Sequence, residues 1–103
     1  MIDLILGDCL EEIKKIESNS IDCIVTDPPY IGIINAKWDK GENPFNEELI
    51  KEMFRVLKDN GSVYVWCGIG EKSNSLFEFY PILKSKFHFK DLITWKKKKG
   101  IGM

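Results

Sequence analysis

Two consecutive prolines, Pro28-Pro29, limit what this chain can become more than any other feature. Neither prolyl nitrogen carries an N–H, so a sheet ladder cannot continue through them, and the residue before each is held extended. They follow an apolar run, Ile21 to Val25, and stand between Asp27 and Tyr30. The expected product is a stiff backbone at the carboxyl end of a strand, with a carboxylate at one side and a ring at the other. In open parallel sheets, ligands bind just beyond the carboxyl ends of the strands. A strand end of this composition is a candidate site.

The pattern around it alternates. Ile2 to Leu6 reads as a short buried strand that Gly7-Asp8 ends. Cys9 to Glu17 reads as a helix, with Leu10, Ile13 and Ile16 on one face and Asp8 placed to cap it. After a polar turn, Glu17 to Ser20, the run Ile21 to Thr26 is apolar enough for a parallel strand buried on both faces. Strand, helix and strand in so short a span predict a compact βαβ unit with a right-handed crossover. Residues 31–45 show no period and hold Trp38 among charges, which suggests a lid or a substrate-contacting loop.

Asn46 to Lys58 carries the clearest helical stripe: Leu49, Ile50, Met53, Phe54 and Leu57. Asn46 is its expected N-cap, and Asn60 or Gly61 its expected positive-φ terminator. Ser62 to Cys67 predicts a third strand, residues 73–86 a helix, and Phe87 to Trp95 a fourth strand. Alternation of this kind implies an α/β fold with a mostly parallel sheet and flanking helices. Trp66 and Trp95 are expected in the core. Gly68-Ile69-Gly70 and Gly100-Ile101-Gly102 are too short a signal to be cofactor loops.

Composition narrows the class. The chain has 103 residues, 44% of them hydrophobic and 30% charged, as in an ordinary globular domain. No apolar run approaches the roughly 20 residues of a membrane span, and no basic segment precedes the first apolar residues. A cytoplasmic protein is expected. Cys9, Cys23 and Cys67 have no metal-ligand spacing, and His88 is the one histidine, so no metal is expected and buried free thiols are. Net charge of −1 conceals a split: residues 1–83 carry 15 acids and 8 bases, whereas residues 84–103 carry 7 lysines and one acid. That basic end suits a polyanion, and a solvated lysine tail is the plain alternative.

The tetrapeptide Asp27-Pro28-Pro29-Tyr30 resembles the catalytic motif of the S-adenosylmethionine-dependent DNA amino-methyltransferases, which methylate adenine N6 or cytosine N4. Three neighbouring segments resemble the same family in the same order. They are Leu6-Gly7-Asp8-Cys9-Leu10, the run Arg55 to Ser62 (similar to a typical RVLKPGG), and Leu92 to Lys97 (similar to an I-W-x-K strand). The resemblance implies a doubly wound, Rossmann-like methyltransferase sheet, with S-adenosylmethionine as cofactor and DNA as partner. It implies catalytic roles for Asp27, Pro28, Pro29 and Tyr30, and cofactor contacts from Asp8, Cys9 and Asp27. Trp38 and Lys96, Lys97, Lys98 and Lys99 are the candidate nucleic-acid contacts. Asp rather than Ser at position 27 leans towards adenine.

The family's Phe-x-Gly-x-Gly cofactor turn is missing, and 26 residues ahead of Asp27 leave no room for it upstream. That order resembles the permuted subgroup, with the catalytic half first. Residues 1–95 would be that half and 96–103 the start of a target-recognition region, with a second polypeptide or a second copy completing the cofactor site. Two other readings stand beside this one. One is a non-catalytic or split-enzyme remnant that binds nucleic acid or a partner subunit; the other is an RNA or protein N-methyltransferase.

Overall fold

A computed structural model describes residues 2–28, 45–68 and 75–94. Within them the order is α1 (Cys9–Ile13), β1 (Ile21–Thr26), α2 (Glu47–Val56), β2 (Leu57–Val65) and α3 (Ser75–Lys84). β1 and β2 pair in parallel, as the alternating pattern predicts, with Cys23 opposite Ser62, Val25 opposite Tyr64 and Thr26 opposite Val65. This is a small α/β arrangement: one two-stranded parallel sheet with helices packed on it.

Both sequence-predicted caps form. Asp8 Oδ1 accepts the Leu10 amide at 2.9 Å, and Asn46 Oδ1 accepts the Leu49 amide at 3.1 Å. Each satisfies an amide that the first helical turn leaves without a backbone acceptor. The stripe on α2 is buried at Leu49, Ile50, Met53 and Val56, and Ile13 of α1 joins it. Phe45, just ahead of α2, meets Phe79 of α3 with ring centroids 4.7 Å apart, both rings almost wholly buried. Phe54, expected in the stripe, lies outside it and is 53% exposed, its edge against Phe87.

α2 ends at Val56, two residues before the expected boundary. Leu57 is already extended, at φ −73° and ψ 141°, and starts β2 at once. The connection needs no positive-φ terminator: among the described non-glycine residues, only Asn19 has positive φ, at 56°. The segment Lys58 to Gly61 instead bulges out of the ladder, because Ile21 faces Leu57 while Cys23 faces Ser62. Gly61 is required there by close approach. A Cβ would come within 2.9 Å of Leu57 Cδ2, 3.0 Å of the Lys58 carbonyl oxygen and 3.1 Å of the Asp22 carbonyl oxygen.

Several expectations fail. Residues 2–6 form no strand and are exposed, Leu6 completely. The apolar pattern marks a strand but cannot supply its partner, and among the described residues β1 pairs with β2 alone. Residues 87–94 likewise form no strand. Among the described residues the sheet is covered on one face: Ile24, Val63, Val65 and Cys67 turn to the helices, while Cys23, Val25, Tyr64 and Trp66 stay exposed. That single fact also removes Trp66 from the core and leaves Cys23 exposed; Cys9, in the first turn of α1, is exposed as well, and Cys67 is half-buried.

Candidate functional site

Strand pairing sets the geometry beyond β1. The Trp66 amide donates to the Thr26 carbonyl at 2.9 Å, so the ladder runs one step past the last strand residue. Asp27 follows exposed and Pro28 is buried, which anchors the backbone on the covered side and leaves the carboxylate outward. This much of the predicted corner is present as read. Pro29, Tyr30, Trp38 and Lys96 to Lys99 lie outside the described residues, as do Trp95 and the glycine pairs Gly68-Gly70 and Gly100-Gly102 beyond Gly68.

The second strand contributes residues that the sequence did not single out. Cys67 lies within electrostatic reach of Asp27. Partial burial, and then the Asp27 charge, push its thiol above the usual range, so at neutral pH it is an uncharged S–H neighbouring a carboxylate. One residue further, Gly68 is clasped by Ser75, whose side chain is buried. The Gly68 amide donates to Ser75 Oγ at 2.7 Å, the hydroxyl donates to the Gly68 carbonyl at 3.4 Å, and the Leu76 amide reaches that carbonyl at 3.3 Å. These bonds dock the start of α3 on the end of β2. The backbone N–H and carbonyl of Gly68 are therefore both engaged in this docking.

Asp8 and Cys9 stand on a different element, the start of α1. Asp8 is exposed, with Oδ1 engaged in the cap. Partial desolvation of the Cys9 sulfur, and then the Asp8 charge, raise that thiol. α1 is held by Arg55 at the end of α2, whose Nη1 donates to the Ile16 carbonyl and to Ser18 Oγ, both at 2.9 Å, and whose Nη2 donates to the Ile13 carbonyl at 3.0 Å. Its Nε faces Glu52 at 3.2 Å. The family-like Arg55 thus serves the scaffold.

Elsewhere, an apolar cleft of about 260 Å³ lies between Leu76, Phe77, Tyr80, Pro81, Phe89 and Leu92, with no predicted site residue among them. Among the described residues, no group of His, Cys, Asp or Glu is arranged to hold a metal, and no helix is long and apolar enough to cross a membrane. The register explains what a reading of motifs overlooked: parallel pairing of 21–26 with 57–65 carries residues 66 and 67 to the side of Asp27.

A DNA methylase family model matches residues 21–103. The chain is similar to the Type II methyltransferase M.HpaI of Haemophilus parainfluenzae, 35% identical over 96% of this chain and 33% of that protein. It is also similar to the Type II methyltransferase M2.MboI of Moraxella bovis, 30% identical over 88% of this chain and 39% of the relative. The DNA adenine methyltransferase YhdJ of Escherichia coli (strain K12) is 44% identical over 60% of this chain and 23% of its own. The chain thus spans between 23% and 39% of the length of these three relatives.

Proposed function

The chain belongs to the family of DNA methylases that act on exocyclic amino groups, and from that premise we propose that it is the catalytic half of an adenine-N6 methyltransferase. The observation that carries the reading is the exposed Asp27 carboxylate at the end of a parallel strand, followed at once by the buried Pro28. In this reading residues 1–95 form the catalytic part of a doubly wound, Rossmann-like sheet, and residues 96–103 lead into target recognition.

The chemistry asks for positioning more than for covalent help. The lone pair of an adenine amino nitrogen is delocalised into the ring, so the amine is a weak nucleophile. The Asp27 carboxylate would accept one of its hydrogens and the Pro28 carbonyl the other, favouring a pyramidal nitrogen. The diproline holds that carbonyl in place before the base arrives. Tyr30 would stack on a base that has left the duplex, at about 1–3 kcal/mol of stacking against the few kcal/mol that extrusion costs.

S-adenosylmethionine, when bound, would supply the electrophilic methyl group. The donor chemistry here suits it: Asp27 is an exposed anion for a sulfonium, and Asp8 an exposed carboxylate for hydroxyl or amine donors, with Cys9 beside it. Lys96 to Lys99 would add salt-sensitive attraction to DNA phosphates, with Trp38 as a further contact. A second polypeptide or a second copy would complete the cofactor site. The adenine methyltransferase among the relatives favours adenine over cytosine.

The test is methyl transfer to DNA followed by nucleoside mass spectrometry. N6-methyladenine, lowered about a hundredfold or more by Asp27→Ala, is the expected product. N4-methylcytosine would overturn the choice of base. Cofactor binding weakened by Asp8→Ala would support the enzyme, whereas no binding heat at millimolar cofactor would leave the split-enzyme or the non-catalytic reading.

A further inference from the structure

The exposed face of the sheet ends in a pair that the catalytic motif does not include. Along that face the paired positions are Cys23 with Ser62, then Val25 with Tyr64. The next step in the same register is Asp27 with Trp66, tied by the Trp66 amide to the Thr26 carbonyl at 2.9 Å. Neighbouring strands lie about 4.8 Å apart, and side chains two residues apart share a face. Continuing that register sets the backbone of Trp66, whose indole is 45% exposed, one strand-width from that of Asp27, with both side chains on the same side of the sheet. Val65 and Cys67, which flank it, turn inward.

We propose that Trp66 is a binding residue of this site, giving a planar surface on which a purine held by Asp27 stacks. The inference rests on the methyltransferase reading and adds to it a side wall contributed by the second strand. An indole suits this because every base has a π-face, so stacking needs no particular hydrogen-bond pattern. Its place beside Asp27 brings a ring and an acceptor to one ligand: the acceptor takes the exocyclic amine while the ring takes the plane. A purine could come from the target base or from the cofactor, and both present the same chemistry to this pair.

The experiment is equilibrium binding of the full 103-residue chain to a short single-stranded DNA with one adenine, against the same strand abasic at that position. S-adenosylhomocysteine is titrated separately. Trp66→Ala is expected to weaken adenine-dependent binding about tenfold or more, with Trp66→Phe recovering most of it. A loss confined to the S-adenosylhomocysteine arm would assign the surface to the cofactor's purine instead of the target base. Tyr64→Ala separates stacking from general stickiness, since Tyr64 lies one pair deeper on the same face and is 50% exposed. Equal weakening by Tyr64→Ala and Trp66→Ala would overturn the proposal. Binding lost in Asp27→Asn but kept in Trp66→Ala would overturn it while leaving the methyltransferase reading intact. No binding by the wild-type chain in either arm would overturn the proposal. Thermal melts of each variant distinguish lost binding from lost folding.

Discussion

Arg55, one residue from the end of α2, donates through Nη2 to the carbonyl oxygen of Ile13, the last residue of α1, at 3.0 Å. A five-residue helix cannot hold itself together in water, because nucleation costs more than so few hydrogen bonds return. Its open end is closed by one guanidinium that also takes the Ile16 carbonyl and Ser18. Replacing Arg55 with Ala removes a charged donor and strands these acceptors, at an expected cost of about 2–3 kcal/mol. Lys, with a point charge in place of a fork, should recover less than half. Urea denaturation measures both, and equal stability of Arg55→Ala and wild type would refute the assignment.

The bulge after α2 gives a second expectation. At Gly61 an added methyl meets two backbone carbonyl oxygens at 3.0 and 3.1 Å, and backbone carbonyls cannot rotate aside as a side chain can. Gly61→Ala should therefore lose about 1–3 kcal/mol, the usual range for overpacking. Gly7 offers the contrast, since the nearest atoms to a Cβ there belong to the Glu12 side chain, which can rotate away. Gly7→Ala should cost less than Gly61→Ala in the same denaturation assay, the loss being that of the exposed Glu12–Lys15 pair.

Phe79 reports on whether α3 belongs to the same folding unit. Its ring is packed on Phe45, and both are 1% exposed. Truncation to Ala should cost about 3–5 kcal/mol. Exposed Phe77, two positions away on the other side of α3, should tolerate the same change within about 0.5 kcal/mol.

These contrasts show where the sequence is informative. Asp8 and Asn46 were legible as caps because the bond is local, between a side chain and an amide two or three residues on. Leu49, Ile50 and Met53 were legible because burial on a helix follows a fixed period. Residues 2–6 were misread for the opposite reason: an apolar pattern states that a strand needs neighbours, and only the rest of the molecule supplies them. Trp66 was misread similarly, since an aromatic in a strand is buried or exposed according to which face is covered. Asp27-Pro28 was legible because proline acts on its own backbone. Cys67 and Trp66 beside it were not, because register is a property of two segments 40 residues apart.

The Cys67 thiol provides a check by pH on the neighbourhood of Asp27. Its proton is held more tightly in the native state than in the unfolded chain, through partial burial and then the carboxylate. The resulting stabilisation is full below the ordinary thiol range and is lost as pH rises through the native value. Asp27→Asn removes the charge and should bring the Cys67 pKa down. Its labelling by a thiol reagent at fixed alkaline pH, followed by peptide mass mapping, should then be faster than in wild type. Exposed Cys23 serves as internal reference. An unchanged Cys67 to Cys23 ratio would separate the two residues.

Asp8 has two roles to untangle, as cap of α1 and as proposed cofactor contact. Alanine removes both, with about 0.5–2 kcal/mol of stability lost from the missing cap. Asparagine caps a helix about as well as aspartate, so Asp8→Asn should leave the denaturation midpoint nearly unchanged. It also turns one carboxylate oxygen into an amide donor and removes the charge. If the carboxylate accepts from the cofactor's amine or hydroxyls, affinity for S-adenosylmethionine should fall about tenfold in Asp8→Asn, as for loss of a charged hydrogen bond. If Asp8 is only a cap, Asp8→Asn binds the cofactor like wild type and only Asp8→Ala is impaired. Calorimetric titration of the two variants, beside their urea midpoints, decides which role the residue holds.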